Sequence, residues 1–141
     1  MTDVSTTGGQ LLEQATRALQ DTQGLIDRAL SALKAKTLDG GKLSNAKLDA
    51  HQLVSYELSL CWAECCAARF MLDHSGRCQD EFTSRLCALF CAEAVTACCA
   101  RLRARLADFA LADADIAAVL HDNTVFLASQ LSAANIAAIG Q

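Results

Sequence analysis

The chain has 141 residues, 52% of them apolar, which is enough to fill the core of a single domain. Twelve basic against sixteen acidic residues leave a net charge of -4. No basic stripe could neutralise a row of phosphates or grip an anionic lipid surface, so nucleic acid and membranes are excluded as expected partners.

Proline is absent, and Val and Ile are scarce beside Leu and Ala, a balance that favours helix over strand. Residues 1–9 are polar, carry Asp3 and lack the charged-then-apolar layout of a signal peptide. They read as a disordered N-terminus ahead of one helical domain over 10–141. No later run reaches about 18 uninterrupted apolar residues, so a cytoplasmic location is expected. In that reducing setting the eight cysteines read as thiols rather than disulfides.

From Gln10 to Lys36, Leu12, Ala15, Leu19, Thr22, Ile26, Ala29 and Leu33 step by three and four, the mark of a long amphipathic helix. Gly40 and Gly41 can take the positive φ of a helix end, and Ser44 offers an N-cap for the next segment. The second helix, Asn45 to His74, sets Val54, Leu58, Cys61, Cys65, Ala68 and Leu72 on one face, widened by Leu60, Trp62 and Met71. It is expected to be buried more deeply than the first.

After a break at residues 75–79, a third helix runs from Glu81 to Leu106 with a core face of Phe82, Leu86, Leu89, Phe90, Ala94, Cys98 and Leu102. Arg101, Arg103 and Arg105 fall in its last turns, where cations complement the helix dipole. Asp113 and Asp115 start a short helix ending near His121, and Asp122–Asn123 introduce a last one from Thr124 to Ile139. The expected fold is all-α: an up-down antiparallel bundle of three long helices with a C-terminal pair of shorter ones.

Cys61 and Cys65 lie one turn apart on the second helix, and Cys87 and Cys91 one turn apart on the third, so each pair shares a face. Two such pairs meeting across an antiparallel interface would offer soft thiolates suited to Cu(I) or zinc, a pattern similar to that of copper-storage bundles. Packing gives the same residues a simpler role, because a cytosolic Cys serves as a small apolar side chain at a tight helix crossing. The first helix has no Cys, and Cys66, Cys78 and Cys99 do not continue the pairs. Packing is therefore the reading adopted, and no residue is assigned to a metal.

His51, His74 and His121 are widely separated and none stands in a Glu-x-x-His spacing. Glu57 and Glu64 share a helix face and Glu93 lies in an apolar stretch, with Arg69 or Arg85 as the expected ion-pair partners. With no glycine-rich phosphate loop and no nucleophile elbow, no catalytic residue and no cofactor-binding residue is assigned.

The run Lys47-Leu48-Asp49-Ala50-His51-Gln52-Leu53-Val54-Ser55-Tyr56-Glu57-Leu58, continued by Trp62-Ala63-Glu64 and Ala68-Arg69, resembles the helical N-terminal extension of some bacterial acyl-CoA dehydrogenases of the methylsuccinyl-CoA dehydrogenase type. Phe90-Cys91-Ala92-Glu93-Ala94 and Ala107-Asp108-Phe109-Ala110-Leu111 are similar to it as well. The cysteines at 61, 65, 87 and 91 depart from the Ala or Leu expected there. In that family the FAD and the proton-abstracting carboxylate belong to later domains, so the resemblance implies no catalytic residue and no cofactor within these 141 residues.

The resemblance implies a helical accessory or oligomerisation domain, partnered by a flavin dehydrogenase domain or by copies of itself. Phe126, Leu127, Leu131, Ile136 and Ile139 give the last helix the apolar surface on which such a partner is expected to dock.

Overall fold

A computed structural model describes residues 7–141. In chain order the elements are α1 (Gly8–Thr37), a two-residue antiparallel hairpin of β1 (Leu38–Asp39) and β2 (Lys42–Leu43), α2 (Asn45–Ala50), α3 (Gln52–Cys78), α4 (Glu81–Arg103), α5 (Asp113–Asp122), α6 (Thr124–Gln130) and α7 (Ala133–Ile139). The three long helices α1, α3 and α4 pack on one another, and α5, α6 and α7 close over α4, with α5 also touching α1. This is the all-α bundle expected.

Several boundaries differ from expectation. Helix α1 takes in Gly8 and Gly9, which the sequence placed in the disordered N-terminus, because Thr7 and Gln10 form a reciprocal cap. The rest of that predicted disorder, residues 1–6, lies outside the described residues. Helix α1 ends where Gly40 and Gly41 turn the hairpin at φ 54 and 79.

The single helix expected from Asn45 to His74 breaks at His51. Its N–H bonds to the carbonyl of Leu48, three residues back, and the tightened turn redirects the chain with neither Gly nor Pro to announce it. Helix α3 then continues through Gly76 to Cys78 and stops at Gln79, held at φ 50. The chain continues through it because Ser75 is buried and its hydroxyl meets that of Ser84 at 3.2 Å. Asp80 caps α4, accepting from the backbone N–H and the hydroxyl of Thr83, which hold its carboxyl below its ordinary pKa. The expected last helix is two: Leu131 and Ser132 interrupt it, and the Ser132 hydroxyl caps α7.

All seven predicted stripe residues of α1 are buried except Leu12, which is half-buried. Helix α3 is not the deepest element: it buries fewer residues than α1, and Trp62, expected to widen its core face, is 42% exposed. The deepest is α4, whose 18-residue stretch of mean hydropathy 1.4 has the length and composition of a membrane span but lies largely inside the bundle. Its core face is made of Ser84, Cys87, Ala88, Leu89, Cys91, Ala92, Ala94, Val95, Cys98, Cys99 and Leu102, with Leu89, Ala94, Cys98 and Leu102 buried as expected. Phe82 and Leu86, expected in that core, point out.

Beyond α4 the chain makes a series of turns to Ala110 at φ 52, where Leu111 N–H closes onto the carbonyl of Leu106. That closure drives Phe109, the largest fully buried side chain, into the core. Phe109→Ala should cost about 3–5 kcal/mol in urea unfolding, since it leaves a ring-sized cavity. Val125→Ala, at a side chain 81% exposed, should stay within about 0.5 kcal/mol of wild type; equal effects would contradict the assigned core.

Candidate functional site

The α3–α4 contact carries the chemistry-bearing residues, on an inner and an outer side. On the inner side Cys61, Cys65, Cys87, Cys91, Cys98 and Cys99 are all buried and all free. Cys66 is half-buried and Cys78 exposed.

The meeting of the two Cys-x-x-x-Cys pairs is not the one their spacing suggested. Helices α3 and α4 run antiparallel with Cys61 opposite Cys98: the Cys98 S–H donates to the Cys61 carbonyl at 3.6 Å, and the Cys61 sulfur lies 4.0 Å from the Cys98 carbonyl. Cys98 thus interacts with both Cys61 and Cys65, while Cys87 and Cys91 neighbour each other one turn apart along α4.

Hydrogen bonding to Cys61 and Cys65 and then burial hold the Cys98 thiol in its protonated form, and its bond to Cys87 followed by burial does the same to Cys91. Burial pushes Cys99 up to about 11. Interaction with Cys98 and with Cys91 lowers Cys65 and Cys87 in turn. Among the described residues no three Cys, His, Asp or Glu side chains converge in an arrangement that could hold a metal ion.

Glu57 and Glu64, one face of α3, meet Arg101 rather than the expected Arg69 or Arg85. Its guanidinium donates to Glu57 Oε2 at 3.0 Å and lies 3.7 Å from Glu64 Oε1, and the bond to Glu57 raises its pKa. Glu64 Oε2 also lies 3.7 Å from the Cys98 sulfur. The arginine side chain is one-third exposed, so the pair adds to helix registration more than to net stability. Spacing could not have found this pairing, because it depends on which α4 residue lies opposite position 57.

The histidines stay apart. His51 sits at the α2–α3 junction, His121 is exposed near the end of α5, and His74 meets only Cys78, with Nε2 3.4 Å from its Sγ on an exposed helix end. A cleft of about 1300 Å³ opens at one end of the bundle among the first turns of α1, the α3–α4 turn and α6. Glu13, Arg17, Glu81 and Arg85 mix both charges along its wall, and neither Cys nor His lines it. No nucleophile stands beside a base there.

The outer side of the α3–α4 contact was missed in the sequence. Leu53, Tyr56, Leu60, Ala63, Ala67 and Phe70 step by three, four, three, four and three, a second apolar stripe on α3. Leu53 is 54% exposed, Tyr56 59% and Phe70 75%. Along α4, Phe82 and Leu86 are exposed, and Phe90 and Ala97 edge a shallow groove shared with Glu64. The expected docking surface on the last helix is largely spent, since Phe126, Leu127 and Ile139 are buried, Leu131 is half-buried, and only Ile136 remains exposed.

Comparison with protein families, with curated proteins and with solved structures finds no match. The likeness to the dehydrogenase extension rests on the residues quoted for it.

Thiol labelling follows from burial, because only a reachable thiolate reacts with an aromatic disulfide reagent. Native protein at pH 8 should release colour quickly from Cys66 and Cys78 alone, and from all eight thiols in guanidinium. Rapid labelling of any of the six buried thiols in the folded protein would show that the α3–α4 contact opens.

Proposed function

We propose that the chain is a non-catalytic helical accessory module that works by packing an apolar helix face against a protein surface. The observation that carries this reading is the outer α3–α4 face, where Leu53, Tyr56, Phe70, Phe82 and Leu86 remain exposed although the bundle has a complete core elsewhere. An exposed apolar strip of that length is the usual mark of an interaction surface rather than of a lone folded domain.

The resemblance to the N-terminal extension of methylsuccinyl-CoA dehydrogenase-type enzymes supplies the setting: a cytoplasmic flavoprotein assembly in which FAD and the reacting carboxylate belong to another domain. The partner is then a flavin dehydrogenase domain or another copy of the chain.

Cu(I) binding is the second reading, favoured by one observation: Cys98 sits against both Cys61 and Cys65 in a dry interior. Soft thiolates at that spot suit Cu(I), but among the described residues these three sulfurs are not arranged to hold a metal ion together.

Two measurements test the readings. Light scattering on the purified chain, alone and mixed with a purified acyl-CoA dehydrogenase from the same source, should give a particle heavier than 15.0 kDa or co-elution. A 15.0 kDa particle under both conditions overturns the accessory reading. In parallel, titration of Cu(I) against a chromophoric chelator should show no tight uptake. Several equivalents held against the chelator, and lost in Cys61→Ser and Cys98→Ser, would replace assembly with copper binding.

A further inference from the structure

Resting on the accessory reading, we infer that the occupant of the outer α3 stripe is a second copy of this chain, bound with the two α3 helices antiparallel about a two-fold axis. The stripe's order of side-chain sizes carries the inference. An antiparallel pair related by a two-fold sets each residue against the one equally far from the axis on the other side.

Placing the axis between positions 61 and 62 opposes Leu53 to Phe70, Tyr56 to Ala67 and Leu60 to Ala63, all at once. In the two inner pairs a bulky side chain meets an alanine, and at the ends a leucine meets a phenylalanine. Steric conflict is thereby avoided along the whole seam. A stripe of uniformly large residues would splay the helices at the centre, and one of uniformly small residues would leave voids. A heterologous partner requires no such internal symmetry.

The area also suits a dimer. Side chains of this size bury about 150–250 Å² each when fully covered. Those exposed on the outer face therefore still have roughly 600 Å² to lose, at the top of the range seen for the largest patch on a monomer. That figure counts Phe82 and Leu86 on the flank of α4 as well as the α3 stripe, and with the half-buried Leu60 it reaches the low end of the ~600–1,000 Å² per partner of a standard interface. Trp62 lies on the other flank of α3, outside the seam.

Sedimentation equilibrium of the full chain across the micromolar range should show a monomer–dimer equilibrium. Phe70→Glu should raise the dissociation constant by at least about 30-fold, as expected for a charge buried at an interface anchor, with the helical circular dichroism unchanged. Val125→Glu, on the exposed side of α6, should leave it unaltered.

The decisive variant is Leu53→Lys combined with Phe70→Glu. Positions 53 and 70 are 17 residues apart, about 26 Å along one helix, so a lysine at 53 can answer a glutamate at 70 only across the two-fold. Recovery of dimerisation in the double variant is expected. A dimer indifferent to Phe70→Glu, or a double variant no better than the single, overturns the antiparallel seam. A wild-type chain that stays monomeric at all concentrations overturns self-pairing. If that monomer still co-elutes with a dehydrogenase, the accessory reading survives this failure.

Discussion

Helix α4 is surrounded by α1, α3 and the C-terminal helices, and an element enclosed on several sides can be accommodated only if its side chains let neighbouring backbones come close. Its inward face is built from Ala and Cys, with Val95 and Leu102 as its bulkiest fully buried members. The result is visible at the α3 contact, where the Cys98 sulfur reaches a backbone carbonyl of the facing helix at 3.6 Å. Larger residues at those positions would push the axes apart, because interhelical distance follows the side chains at the crossing. The buried Ser75–Ser84 pair pins the other end of the hairpin at the same close spacing.

That constraint sorts the rest of the molecule. Once the α3–α4 contact is reserved for small residues, the aromatic and leucine side chains of both helices must lie elsewhere, and Phe70, Phe82, Tyr56 and Leu86 point outward. Bulk for the core comes instead from Ile26 and Leu25 on α1 and from Phe109 and Ile116 beyond α4. The α3–α4 contact is thus filled with Ala and Cys, while several large apolar side chains of the same two helices face outward.

The same sorting explains what was legible in the sequence. The stripe of α1 could be read because that helix is amphipathic in the ordinary way, apolar inside and charged outside, and its predicted core residues are buried almost without exception. The size of Phe82 and Leu86 suggests burial, whereas α4 buries mostly Ala, Cys and Ser, with Leu89 and Leu102 as its only buried leucines. The break at His51 arises from a backbone turn with no Gly or Pro to signal it. The cysteines were recognisable as two pairs, but which sulfurs meet depends on the register of α3 against α4. That register is fixed by contacts far apart in the chain, and it places Cys98 and Arg101 opposite residues that no local spacing relates to them.

Arg101 also limits how a partner can approach the outer face. Its guanidinium spans Glu57 and Glu64 along the edge of the α3 stripe, partly open to water, and its Nε has no hydrogen-bond partner among the described residues. Covering that network completely would strip water from three charged groups whose mutual pairing is already imperfect, a cost that apolar contact nearby would have to exceed. A seam centred on α3 avoids this cost, because the Leu53-to-Phe70 line runs beside the ion pairs rather than over them. Arg101 and its two carboxylates then fall at the rim, where hydration persists and charge contributes to orientation more than to affinity. The electrostatics and the side-chain sizes therefore both favour α3 over α4 as the centre of the proposed pairing.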